Sequence, residues 1–313
     1  MSEDTGIALF VYKRPEHTRQ VLEGLRKNSV ERLYVFSDGP SAASERDAVE
    51  RVRSVVGDVD WCDVELVESD ENKGLARSVA DGFDYVLDRH ERIVALEDDD
   101  VPAPDFMDYM MACLDRYQGT DRVMNVHGYS PPIAVPEGYP YDVYFTYRTG
   151  SWGQGIWRDA WDRLETDPDA FVDLFETAEG RECLSRAGRD LEKMFEAQLC
   201  GRVDSIQIWW TLTVVNLRGL SVNPVRSRVR NIGNDGSGTH TVSTSRFDVS
   251  ISDNPQIHKF SFPKLPFVDE NINDHYNGYI GGGTLTDRLK TALIDVVESD
   301  DTMRAILRRL PLR

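Results

Sequence analysis

Arg92-Ile93-Val94-Ala95-Leu96-Glu97-Asp98-Asp99-Asp100-Val101-Pro102 is the stretch on which the reading of the chain turns. Its apolar run, Ile93 to Leu96, shows no alternation and is bounded by charge, the pattern of a strand buried on both faces. The run ends in four carboxylates. These repel one another, and a plain polar turn forms more easily from Asn, Ser or Gly. Open α/β sheets place ligands just beyond the carboxyl ends of their strands, where Mg²⁺ or Mn²⁺ takes one or two carboxylates plus substrate phosphate oxygens. Two readings stand: a divalent ion bridging this loop to a diphosphate, or a solvated acidic loop in an acidic protein. The position at the end of a buried strand favours the ion.

Upstream, Gly6 to Tyr12 is a continuous apolar run and reads as a central strand, broken by Lys13-Arg14-Pro15. Pro15 suits the first position of a helix carrying Val21, Leu22 and Leu25 at helical spacing. Leu33 to Phe36 is a second strand, closed by Ser37-Asp38-Gly39-Pro40, and a helix with Val49, Val52, Val55 and Val56 inward follows. Asp63 to Val67 is a third strand. Asn72-Lys73-Gly74-Leu75-Ala76-Arg77 then opens a helix carrying Val79, Phe83, Val86 and Leu87. Strands alternating with helices of this length predict an α/β fold, a mostly parallel sheet flanked by helices. Lys13-Arg14, Asp38-Gly39-Pro40 and Glu97 to Asp100 fall at the carboxyl ends of three strands, and Asn72 to Arg77 opens a helix whose free N–H groups favour an anion. Together they suit a nucleoside diphosphate. Asp38 would bond base or ribose, Lys73 and Arg77 would neutralise phosphate, and Gly74 would let the backbone approach closely. No G-x-G-x-x-G follows the first strand, and neither a P-loop nor a G-x-S-x-G elbow occurs.

The order strand-Lys-Arg-Pro, Ser-Asp-Gly-Pro, Asn-Lys-Gly-Leu-Ala, then Leu-Glu-Asp-Asp with a following Pro104-Asp105-Phe106, resembles the GT-A glycosyltransferases. Within them it is most similar to microbial sugar transferases related to the N-acetylglucosaminyltransferase that acts on mannose arms of N-glycans. The resemblance runs from about Ile7 to about His240. It implies a Rossmann-like fold that binds a UDP- or GDP-sugar with Mn²⁺ or Mg²⁺ and transfers the sugar with inversion. It matches Glu97, Asp98 and Asp99 to the family's acidic triplet, with Asp99 the direct metal ligand. Asp100 is an extra carboxylate where the family often has an apolar residue.

In the second half, Asp105 to Tyr117 reads as a helix, Arg122 to Val126 as a strand, Gly128 to Pro140 as a functional loop, and Tyr144 to Tyr147 as an alternating strand. Trp157 and Trp161, one helical turn apart, read as core. Trp152 lies between Ser151 and Gly153 on backbone that permits close approach, and reads either as packing or as a platform for a sugar ring. The resemblance places such a Ser-Trp-Gly turn in the donor and acceptor cleft. Pro168 to Cys200 is acidic and helical. Asp204 reads either as the general base of an inverting transfer or as the N-cap of the apolar helix that follows. Relatives often carry Trp-Asp where this chain has Ile206-Gln207, so Glu165 and Asp235 are held in reserve as bases. Asn231 to His240 is a glycine-rich loop able to close over a donor. His240 is either a surface histidine or, as the resemblance implies, a ligand near the diphosphate, and Arg228 and Arg230 are placed to meet phosphate.

These readings divide the chain into a nucleotide-sugar half, residues 1–127, an acceptor half of the same domain, 128–245, and an extension, 246–313. The extension ends in an amphipathic stretch with Arg304, Arg308, Arg309 and Arg313, suited to a partner subunit, to anionic lipid or to its own helix dipole. The alternatives are a sugar nucleotidyltransferase and a non-catalytic sugar-nucleotide-binding protein. The acceptor is expected to be a glycan or a lipid-linked glycan, and the location cytoplasmic or peripheral at the inner face of the membrane. The start is acidic without an apolar run, unlike a signal peptide, and Cys62, Cys113, Cys183 and Cys200 show no zinc spacing.

A net charge of -18 at pH 7 argues against nucleic acid as partner. Seven lysines stand against 29 arginines, and the acid is spread along the chain, a composition expected of a halophilic protein. Screening by salt then removes self-repulsion. The melting temperature is expected to fall as salt is withdrawn, and a value independent of salt would contradict this reading.

Overall fold

The computed structural model describes residues 4–236, 244–253 and 259–281. His240 and the stretch from Thr284 lie outside the described residues. In chain order the elements are β1 Thr5–Val11, α1 Pro15–Arg26, β2 Arg32–Ser37, α2 Arg46–Gly57, β3 Asp63–Glu68, α3 Leu75–Leu87, β4 Arg92–Glu97, β5 Asp100–Pro102 and α4 Phe106–Tyr117. There follow β6 Val123–His127, β7 Val143–Thr146, β8 Gln154–Trp157, α5 Arg158–Trp161, α6 Val172–Glu176, α7 Ala178–Ala187, α8 Leu191–Leu199, α9 Ile206–Asn216, β9 Leu220–Pro224, β10 Val229–Asn231 and α10 Glu270–Ile280.

Eight strands form one sheet in the order β3-β2-β1-β4-β8-β6-β9-β7. The first four are mutually parallel, and β6 and β9 share their direction, while β7 and β8 run opposite. The fold is therefore α/β with a mostly parallel sheet flanked by helices, as the alternating pattern predicts. β1 and β4 are covered on both faces, which is why their sequences are unbroken apolar runs. The strand over residues 143–146 departs from expectation. Its alternation predicts one wet face, yet all four residues are buried, because Tyr144 lies under Ile272 and Tyr276 of α10. Trp157 ends β8 rather than sharing a helix with Trp161, although both are buried as expected.

Two features position the site. A small ribbon pairs β5 antiparallel to β10, with Asn231 opposite Asp100, so the chain leaving the acidic run is tied to a segment about 130 residues later. Second, α3 and α9 pack together. Phe83 and Trp161 have ring centroids 4.6 Å apart, Trp161 and Trp210 5.6 Å, and the Trp210 indole N–H donates to Asn125 at 3.1 Å. This aromatic stack brings the starts of the two helices side by side, with Asp204 Oδ2 4.0 Å from where a Cβ on Gly74 would sit. Helices α6 to α8 form a satellite core on α9 through Phe171, Leu184, Phe195 and Leu212.

Gly82 shows how closely α3 approaches the sheet. A Cβ there would lie 2.5 Å from Phe10 Cε1 and 3.2 Å from Phe36 Cδ2. In an open helix Gly→Ala gains about 1 kcal/mol. Here overpacking costs about 1–3 kcal/mol, so Gly82→Ala is expected to lower the unfolding free energy. Chemical denaturation measures it, and a stabilised variant would contradict the packing.

Candidate active site

The carboxyl ends of β1 and β4 lie in register, Phe10 beside Glu97, so the residues that follow each strand meet. Arg14 extends from the turn after β1 onto the acidic run. Its guanidinium pairs with Asp98 Oδ1 and lies 2.8 Å from Asp99 Oδ2. Burial opposes the charge on Arg14, but Asp98 and Asp99 outweigh it and hold the guanidinium above its ordinary value. The four carboxylates have separate fates. Burial pushes Glu97 up to about 8, reinforced by Asp99 and Asp98 and opposed by Arg14 and Ser151. Burial likewise raises Asp98, whose Oδ2 is buried without a hydrogen-bond partner. Asp99 accepts from Asn231 Nδ2 at 3.0 Å, and a Cβ on Gly233 would collide with its Oδ2.

Asp100 is a structural tie. Fully buried, it accepts from the Gly153 N–H at 3.1 Å, the Glu97 N–H at 3.3 Å and Asn231 Nδ2 at 3.1 Å. Burial raises its pKa well above the ordinary value, with Asp99 and Glu97 adding to the shift. Through Gly153, held at φ +63, it fixes the Ser151-Trp152-Gly153 turn beside Glu97. Trp152 is partly buried there, edge-on to Tyr129 at 4.6 Å and Phe247 at 5.6 Å, so packing accounts for much of its surface.

Several residues expected to meet phosphate and base have partners within the chain. Asp38 accepts from the Lys73 N–H at 2.8 Å and the Gly74 N–H at 3.0 Å, so the anion at the start of α3 is Asp38 itself. Its carboxylate is spent on the turn in which Gly74, at φ +80, is the N-cap. Asn72 donates to the Gly39 carbonyl at 2.8 Å, Lys73 pairs with Asp81 at 2.8 Å, and Arg77 Nε lies 3.9 Å from the same carboxylate. Lys13 pairs with Glu45 at 2.5 Å, and with Ser41 and Tyr12 it pulls that carboxylate down to about 2. Arg228 is buried against Asp105 at 2.7 Å and is not placed for phosphate. A cavity of about 130 Å³ adjoins this loop, lined by Phe36, Asp38, Lys73, Ser78 and Tyr85 among others, with Ser78 Oγ buried and unpartnered.

Asp204 is exposed, and the N-cap of α9 is Ser205, which overturns the capping alternative for Asp204. The reserve acids are engaged. Glu165 accepts the N–H groups of Thr166 and Asp167, and Asp235 lies 3.2 Å from His17. Sequence reasoning missed Asn231, which bridges Asp99 and Asp100, and His127, buried against Gly150, whose pKa falls to about 4 through burial. Only a contact across the fold makes either recognisable.

Negative charge at this strand end is only partly answered within the chain. Arg14 pairs with only two of the four carboxylates, Asp98 and Asp99, an Asp98 oxygen is left buried and unpartnered, and burial with the neighbouring carboxylates favours the protonated form of Glu97. Among the described residues no three His, Cys, Asp or Glu side chains form a self-contained metal site. Asp98 and Asp99 would therefore hold a divalent ion together with oxygens of a ligand.

No family model matches the sequence, and no curated protein matches it. Among solved structures the chain is similar to a mannosyltransferase, PcManGT from Pyrobaculum calidifontis, in complex with GDP-Man and Mn²⁺, at 18% identity and TM-score 0.38 over 53% of this chain and 47% of that one. The chain thus spans about half the length of that protein. It is also similar to a 4-diphosphocytidyl-2C-methyl-D-erythritol synthase from Anaerococcus prevotii DSM 20548, at 8% identity and TM-score 0.31 over 62% of this chain and 83% of that one. The site stands on its own geometry.

The raised value of Glu97 fixes a sign. Stabilisation tied to its proton is complete below its ordinary value of 4.5 and is lost as pH rises through about 8. Without divalent ions, the parent is expected to melt lower at about pH 9 than at about pH 6, and Glu97→Gln to flatten that slope. Equal slopes in the two proteins would contradict the buried acid.

Proposed function

We propose that the chain is a GT-A glycosyltransferase that moves a sugar from a nucleoside-diphosphate sugar to an acceptor hydroxyl, with inversion. The observation that carries this is the charge arrangement at the ends of β1 and β4, where Arg14 spans Asp98 and Asp99 and an Asp98 oxygen stays buried and unpartnered. An acidic site answered by a single guanidinium suits a diphosphate that arrives with its own counter-ion. When bound, Mn²⁺ or Mg²⁺ supplies charge that stabilises the departing diphosphate.

The protein's own groups have separable tasks. Arg14 turns from the carboxylates toward the diphosphate once another cation takes its place. The cavity beside Asp38 and Ser78 receives the base, and the turn at Trp152, held by Asp100, borders the sugar. Asp204, exposed beside the start of α3, takes the proton of the acceptor hydroxyl as that oxygen bonds the anomeric carbon and the nucleoside diphosphate leaves. The first half of the chain serves the donor and the second the acceptor. His240 is retained as a further candidate ligand.

A thermal-shift panel of UDP, GDP, CDP and dTDP, each with and without Mn²⁺, tests the reading. One nucleotide is expected to raise the melting temperature only when Mn²⁺ is present. No shift with any pair would contradict the reading, and pyrophosphate release from a nucleoside triphosphate would point instead to a nucleotidyltransferase. With a donor in hand, Asp204→Asn is expected to lower turnover by roughly 10² to 10⁴ while leaving the nucleotide shift intact. Full turnover in that variant would exclude Asp204 as the base.

A further inference from the structure

The cavity beside Asp38 lies between the ends of β2 and β3 and the helix α3, and its polar lining is one-sided. Phe36, Val67 and Tyr85 supply apolar walls, with the Phe36 and Tyr85 rings edge-on at 5.7 Å. The charged lining is Asp38, Glu68 and Asp81 against the single ammonium of Lys73. Asp38 is occupied by the N–H groups of Gly39, Lys73 and Gly74. Glu68 meets Arg53 through Oε2 at 3.2 Å, and Asp81 meets Lys73 through Oδ2 at 2.8 Å, with Arg77 3.9 Å from that same oxygen. Among the described residues the second oxygen of each takes no hydrogen bond, and Ser78 Oγ is buried without a partner. A carboxylate has about four acceptor positions, so Asp81 can hold Lys73 and still take two N–H groups. Ser78 precedes Asp81 by three residues on α3, which puts the two on one face of the helix.

A base that enters here meets acceptors. Uracil and thymine present one N–H between two carbonyls, and those carbonyls would face carboxylate oxygens. Adenine and cytosine present an amino group beside a bare ring nitrogen. Guanine presents N1–H and the 2-amino group side by side, an edge that one carboxylate bonds through both oxygens. We propose that the donor nucleotide is a guanosine diphosphate, selected by Asp81, which accepts from N1–H and the 2-amino group, and by Ser78, whose hydroxyl donates to O6. Glu68 adds a second carboxylate that disfavours bases with carbonyls on both sides of their N–H. The inference rests on the reading of this cavity as the base site of a nucleotide-sugar transferase.

The test is calorimetric titration of the full chain, in Mn²⁺, with GDP, IDP, ADP, CDP, UDP and dTDP. IDP keeps O6 and N1–H and lacks only the 2-amino group. GDP is expected to bind roughly tenfold tighter than IDP, and IDP tighter than the other four. Asp81→Asn keeps one acceptor oxygen, so it is expected to bring GDP down to the level of IDP while IDP still binds, which shows the variant folded. Equal binding of GDP and IDP by the parent, or a GDP advantage that survives in Asp81→Asn, would overturn the proposal. Tighter binding of ADP, CDP, UDP or dTDP would overturn the guanine assignment and leave the nucleotide-sugar reading in place. Absence of binding by all six would remove both.

Discussion

Negative charge packed at the end of a buried strand has to be answered by something, and the rest of the structure is arranged around that requirement. Glu97, Asp98, Asp99 and Asp100 follow one another out of the sheet interior, where water offers little screening. Each meets a different response. Asp100 is satisfied by backbone and by Asn231, Asp98 and Asp99 share Arg14, and burial shifts Glu97 toward its protonated form. The ribbon of β5 and β10 exists to bring Asn231 there, and Gly233 follows because any side chain would strike Asp99.

A second constraint comes from packing. The stack of Phe83, Trp161 and Trp210 holds α3 against α9, and both helices begin at the same end. Asp204, distant from Gly74 in the chain, becomes its neighbour.

Much of this was legible in the residues. Unbroken apolar runs marked β1 and β4, their helical intervals implied parallel order, and Glu97 to Asp100 marked the place where charge collects. The pairing of partners was not legible. Asp38, Lys13, Lys73 and Arg228 have the chemistry to bind nucleotide, yet each is occupied by Lys73 and Gly74 N–H groups, Glu45, Asp81 and Asp105 respectively. Local sequence does not say whether a charged group near a strand end answers a ligand or a neighbour, because that depends on contacts between distant segments. Asp100 and Asn231 illustrate the same point, since neither carries a local signal of the tie they make. The buried face of Tyr144 under α10 likewise depends on residues some 130 positions later.

The central claim is that the acidic strand end admits a cation only in company with a diphosphate. Electron paramagnetic resonance of Mn²⁺ with the full chain reports this directly through the signal of the free aquo ion. The account predicts that chain and nucleoside diphosphate together deplete that signal beyond the sum of their separate effects, and that Asp99→Ala restores it. A signal indifferent to the chain, or depleted equally by the Asp99→Ala variant, would contradict it.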